Sequence, residues 1–213
     1  YNDNFINIEP MTDITGYFQS YKYFFNEEYV RNIFSFREEI INKSKLILPK
    51  KEKISIHIRR GDYAKVKKHT IQPLSYYVES KAKLEEELKL RPKYIYFTDD
   101  VVWVKLNFNL QEEDIIFSSK SLKDYEEFAV MQKCDHFIIA NSTFSWWAAW
   151  LSTTQYEGIK KVYAPFQWFN QNYNTKNTWK DIYSETQDWK IIGKKESKNF
   201  NDIFFLGLIT CEK

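Results

Sequence analysis

Glycine is scarce in this chain, with 5 residues in 213, about 2% against a usual 7%. The five stand at Gly16, Gly61, Gly158, Gly193 and Gly207, never two together. Neither a G-x-G-x-x-G turn nor a G-x-x-x-x-G-K-[ST] loop can therefore be written, which excludes a phosphate site cradled by glycine. Cysteine is rarer still, with 2 residues. Cys134 and Cys211 lie far apart, without Cys or His neighbours at zinc-ligand spacing, so neither a disulfide scaffold nor a zinc module is expected, and a reducing compartment is the default. No apolar run approaches the roughly 18 residues of a membrane span, since residues 137–140 and 203–209 are only of strand length. Expected is a soluble, cytoplasmic chain, at most peripheral at the inner membrane face. Nor is one sign of charge in excess: 31 Lys and Arg against 29 Asp and Glu leave +2, too balanced for nucleic acid to be a partner through bulk charge. Any anion must be held by a local site. An initiator Met is missing as well, which is read as processing or a fragment.

What the chain has in plenty is aromatic residues: 7 Trp, 15 Tyr and 17 Phe. Its length corresponds to one domain of about 150 residues plus a sizeable extra segment. In the first fifty residues an aromatic cluster over 16–25 precedes a helix that Asn26 can cap, with Glu27 and Glu28 suiting its dipole and Pro49 ending it. From Lys53 the pattern alternates strictly, Ile54, Ile56 and Ile58 on one face and Ser55, His57 and Arg59 on the other, which predicts a strand. Helices are then expected over 74–90, 101–108, 121–134 (with a capping-box-like start at Ser121) and 143–152, interleaved with strands over 93–98, 115–117, 136–140 and 160–163. Regular alternation of five strands with four helices argues for α/β architecture with a doubly wound parallel sheet.

In such a sheet ligands bind beyond the carboxyl ends of the strands, and three sets of residues fall there. After the first strand come Arg59, Arg60, Gly61 and Asp62, with His57 projecting on the same side as Arg59. Two guanidiniums, permanently charged and bidentate, can bind a diphosphate without a glycine cradle; the competing reading is a structural salt bridge to Asp62 or Asp99. After the fourth strand, Asn141, Ser142, Thr143, Phe144 and Ser145 open a helix whose hydroxyls and free N–H groups form an anion site. Trp146 and Trp150 behind them share a face suited to packing. After the second strand, Asp99 can accept from a sugar hydroxyl while Asp100 caps the next helix. His69, Asp124, Glu126, Glu127, Cys134 and His136 read as solvated or packed residues. No Asp-x-Asp occurs, so no metal-bridged nucleotide-sugar site of that kind is expected.

Residues 55–63 (SIHIRRGDY), Phe97-Thr98-Asp99-Asp100, and Cys134 with residues 138–151 (IIANSTFSWWAAWL) resemble the α-1,2-fucosyltransferases of glycosyltransferase family 11. Residues 16–24, Ala164-Pro165 and Trp168-Phe169-Asn170 resemble further signatures of that family. The resemblance spans about residues 16–192. It implies a GT-B architecture with a Rossmann-like donor domain, GDP-β-L-fucose as donor, a galactose-terminated glycan as acceptor, inverting transfer, and no metal or other cofactor. It further implies that Arg59 holds the β-phosphate, that Arg60 assists or braces the turn, and that Asp62 supports the arginines or approaches the acceptor. His57 and Asp135 would lie near the nucleotide, with Asn141, Ser142, Thr143, Phe144 and Ser145 completing the diphosphate and fucose pocket. The family's Gly-Gly-Leu-Gly-Asn-Gln-Met-Phe-like opening segment has no counterpart here. Residues 1–50 are therefore read as the end of the acceptor-side half, 51–192 as the donor domain and 193–213 as a tail. Two alternatives remain: a non-catalytic nucleotide-sugar or glycan-binding module, and a fucosyltransferase of another linkage, like the related protein O-fucosyltransferases.

Overall fold

A computed structural model describes residues 2–16, 18, 20–24, 26–49, 52–89, 91–118, 120–153, 159–170, 182–183 and 188–193. The alternating run at Lys53 forms β1 (Lys53–Ile58). Around it stand β2 (Lys93–Thr98), β3 (Ile115–Ser118), β4 (His136–Ile138), β5 (Val162–Pro165) and β6 (Lys190–Ile192), all parallel, in the order β3-β2-β1-β4-β5-β6. This is the doubly wound order, and its switch point lies between β1 and β4, where connections change direction across the sheet.

Both faces are covered, so β1 is buried along its whole length. Ile54, Ile56 and Ile58 pack with Tyr94 and Tyr96 beneath α3 (Leu74–Leu88) and α4 (Val101–Asn107). The opposite face, which carries Ser55 and His57, lies under α5 (Asp124–Gln132) and α6 (Thr143–Leu151), in a core that includes Phe97, Phe137, Met131, Trp146 and Trp150. Much of the aromatic excess serves these interfaces. Trp146 and Trp150 stack at 6.2 Å. The Tyr76 hydroxyl donates to the carbonyls of Ile139 at 2.7 Å and Tyr163 at 3.1 Å, and the Tyr77 hydroxyl to that of His57 at 3.3 Å, satisfying strand-end acceptors that burial removes from water.

Expectation and structure differ at three places. The N-terminal helix is two, α1 (Glu27–Ile33) and α2 (Glu38–Ile47), and the break allows Phe36 to meet Phe128 of α5, ring centroids 5.8 Å apart. Asn26 caps α1 as expected, accepting from Tyr29 N. Helix α5 begins three residues after Ser121: the Lys123 amide donates to Glu126 Oε2 in a capping box, while Ser121 Oγ accepts from Ser118 N and closes the turn before it. The sixth strand, β6, was not expected, because only Ile191 and Ile192 mark it in a polar stretch. The segment before β1 packs on the sheet's helices: Phe24, Val30, Ile47 and Leu48 lie against the α5/α6 core, and Arg31 donates to Trp150 O at 2.6 Å. The apolar stretch 203–209 and nearly all of the 193–213 tail lie outside the described residues, within which no helix is long and apolar enough to cross a membrane.

Candidate active site

Because β1 is parallel to both neighbours, the chain leaves it at the same edge where β2 and β4 end. One residue beyond β1 stands Arg59. Its Nε lies 2.9 Å from Asp62 Oδ1 and its Nη1 3.2 Å from Asp99 Oδ2. The bend that permits this is Gly61: a Cβ there would meet Asp99 Oδ2 at 3.1 Å, so the turn comes closer to Asp99 than a side chain would readily allow. Asp99 also accepts from Arg60 N at 2.8 Å, which ties the β1 turn to the end of β2.

These groups rim a cleft of about 360 Å³ lined by His57, Arg59, Asp62, Tyr63, Thr98, Asp99, Asp124, Glu127, Ser142 and Phe144. His57 projects from the covered face of β1 to within 5.8 Å of the Phe144 ring, and its Nδ1 has no hydrogen-bond partner among the described residues. Burial, helped by the Arg59 charge, pushes its pKa down to about 3, so the imidazole is neutral. Partial burial works against charge on Arg59, but the hydrogen bond to Asp62 and the field of Asp99 outweigh it and raise its pKa. The same pairing holds Asp62 below the usual carboxylate range despite its slight burial. Glu127, on α5, behaves in the opposite way: burial and then the charge of Asp124 push it up to about 7 against the pull of Arg59.

Six expected residues line this cleft: His57, Arg59, Asp62, Asp99, Ser142 and Phe144. Arg59 lines the cleft and makes the ion pairs of the competing reading, with Asp62 and with Asp99. The remaining five lie outside the cleft lining, Arg60 in the bracing position that was one of its two expected roles. Arg60 turns toward α4, its Nε 3.3 Å from Asp100 and its guanidinium 4.2 Å over the Trp103 ring, so it braces the turn; Asp100 caps α4 as expected. Asp135 does not approach the cleft. It precedes β4 at the amino end of the sheet and accepts there from the backbone N and Nζ of Lys53, both at 2.9 Å. Asn141 is a buried strut whose Nδ2 donates to the carbonyls of Thr70 and Trp168. Ser145 is buried and spends its hydroxyl on the Ser142 and Ala140 carbonyls. Thr143 faces a separate apolar cavity of about 70 Å³, beside Phe24, Trp146 and Trp168. Glu127 was missed because on a linear helix pattern it belongs to a polar face; the sequence signal that could have found it is its place on the helix covering the His57 face of β1.

The sheet and its cleft define a class: a Rossmann-like α/β domain with a charged site at its switch point, one arginine set among carboxylates. The family model described as "Glycosyl transferase family 11" matches residues 11–192, and the chain belongs to that family. It is 34% identical over 158 residues to an O-antigen biosynthesis glycosyltransferase, WbnK, of Escherichia coli, covering 68% of this chain and 51% of that protein. It is 30% identical over 175 residues to an α-1,2-colitosyltransferase of Escherichia coli, covering 78% and 59%. A bovine galactoside 2-α-L-fucosyltransferase, SEC1, is 27% identical over 107 residues, covering 46% and 28%. The chain thus spans little more than half the length of the two bacterial relatives.

Proposed function

We propose that the switch-point cleft binds GDP-β-L-fucose and that the site serves inverting, metal-independent transfer of fucose to a galactoside hydroxyl. The observation that carries this reading is Arg59, a guanidinium at the carboxyl ends of β1 and β2 facing a cleft with an unpartnered His57 Nδ1 behind it. Arg59 grips the β-phosphate, and backbone N–H groups of the first turn of α6, beside Ser142 and Phe144 in the cleft lining, donate to the other phosphate oxygens. Glu127 supplies a further contact: a guanine edge presents its N1–H and N2–H donors side by side, and the Glu127 carboxyl accepts both once it gives up the proton that burial favours.

Rate arises from stabilising the charge on the departing diphosphate as the fucosyl carbon becomes oxocarbenium-like, a task that a fixed guanidinium performs without a metal ion. The acceptor oxygen bonds to that carbon, the bond to the β-phosphate oxygen breaks with its electron pair leaving on GDP, and the hydroxyl proton passes to Asp62. While paired with Arg59, Asp62 is a weak base. Once phosphate takes over Arg59, the carboxylate recovers an ordinary affinity for protons.

A second reading, a nucleotide-sugar-binding module without turnover, is favoured by one observation, the half-length match to the bacterial relatives. Calorimetry with GDP and GDP-fucose, followed by a transfer assay on lactose with and without chelator, separates the two. Binding with chelator-insensitive transfer supports the first, and binding without transfer supports the second. A folded protein that binds neither ligand contradicts both.

A further inference from the structure

A second cavity, of about 570 Å³, adjoins the first. It lies between the loop leaving β1 and the loop leaving β5, lined among others by Tyr63, Lys67, His69, Thr70, Gln167 and Asn170. Tyr63 lines both cavities. The walls are tied together: Asn141 Nδ2 donates to Thr70 O at 2.9 Å on one loop and to Trp168 O at 2.7 Å on the other. His69 and Phe169 form an antiparallel bridge, and Asn170 N donates to Lys68 O at 3.0 Å. The partition is equally fixed. Tyr63 stacks on the His69 imidazole with centroids 4.3 Å and planes 11° apart, its hydroxyl donates to Asn141 O at 3.1 Å, and the Arg59 guanidinium carbon lies 5.8 Å from its ring centroid.

This arrangement has a stereochemical consequence that rests on the donor reading above. Inverting displacement requires the acceptor hydroxyl to approach the fucosyl carbon opposite the departing diphosphate. Arg59 marks the diphosphate, and Tyr63 is the neighbour beyond which space opens. We propose that the cavity between the β1 and β5 loops is the acceptor subsite, taking the terminal galactose of a saccharide, with Lys67, His69 and Gln167 hydrogen-bonding its hydroxyls. An ammonium, an imidazole and an amide offer directed donors and acceptors for vicinal hydroxyls. The cavity beside Thr143 is both too small, at about 70 Å³, and too apolar for a hexose.

Saturation-transfer NMR with lactose, on the whole chain saturated with GDP, tests this. Ala64 lines the second cavity and not the cleft, so Ala64→Trp fills the proposed subsite. The expected result is a lactose signal in the parent that disappears in Ala64→Trp, with GDP affinity kept within about twofold. Lys67→Glu, at an exposed position, serves if Ala64→Trp misfolds, and lactose affinity should then fall about fivefold or more with GDP affinity again preserved. Lactose signals unchanged in the folded variants, or absent from a parent that binds GDP, overturn the subsite alone. A parent that does not bind GDP overturns the donor reading and this one with it.

Discussion

Arg59 is shared between Asp62 and Asp99, so an incoming diphosphate has to compete with carboxylates for it. The share of Asp62 in that competition is mild, because its side chain is 57% exposed and exposed pairs contribute only about 0.2–1 kcal/mol. Asp62→Asn should therefore tighten GDP binding, by up to about fivefold, while lowering transfer, because the same change removes the proton acceptor. A titration of GDP beside a turnover assay reads both, and equal losses in the two would contradict the double role. Glu127 and His57 give the cleft a pH signature of opposite signs. The folded state raises Glu127 from 4.5 to about 7, so it holds a proton that the unfolded chain has lost, and stability falls as pH rises through that window. His57 is depressed from 6.5 to about 3, so stability falls as pH drops below 6.5. In Glu127→Gln only the His57 contribution remains, and thermal midpoints should rise from pH 4 to pH 6.5 and show no decline attributable to this site between pH 6.5 and 8. A decline above pH 6.5 as steep as that of the parent would show that Glu127 is not the titrating group.

At the scale of elements, the sequence exposes the strands and helices of the sheet well, because buried parallel strands read as short apolar runs between polar turns. The alternation at residues 53–58 and the Asp100 cap are examples. The six-residue β2 is correspondingly plain, whereas β6 was hidden because three residues carry too little pattern. The site was legible where it follows β1, since position after a strand is a property of the sequence. It was not legible on the helices: which faces of α5 and α6 turn toward His57 is decided by packing, so Glu127 was missed and Ser145 wrongly included. Asp135 shows the same limit at a strand, being at the amino end of β4 where the adjacent motif suggested proximity to the nucleotide. Its partner Lys53 is itself nearly buried, so Asp135→Ala removes a buried ion pair together with the acceptor of Lys53 N and should cost about 1–3 kcal/mol. Denaturant unfolding measures this, and GDP affinity of the folded variant should stay unchanged. A selective loss of GDP affinity would return Asp135 to the site.

For the whole molecule, the segment before β1 and the sheet form a common core in the described residues. Phe24 lies 5.1 Å from Trp147 and 5.3 Å from Trp150 by ring centroid, and the Arg31 guanidinium rests 4.0 Å over Trp150. Phe24→Ala should lower stability by about 2 kcal/mol, less than for a fully buried ring, in a single transition; separate transitions for the N-terminal segment and the sheet would indicate independent units. Helix α6 therefore links two surfaces, the N-terminal segment on its Trp face and the cleft at its amino end. Glycine scarcity is consistent with the proposed site, in which an arginine and a helix start would take the place of a glycine-rich loop, and Gly61 brings the turn against Asp99.

The central claim is that the cleft at Arg59 holds a guanosine diphosphate sugar, and calorimetry of GDP-fucose binding to the parent and to Arg59→Ala tests it most directly. Each charge-assisted hydrogen bond contributes about 1.5–3 kcal/mol, so the account predicts saturable binding in the parent and a loss of about 10- to 100-fold in a variant that remains folded. Equal affinity in the two proteins, or a folded parent that does not bind GDP-fucose, would contradict it.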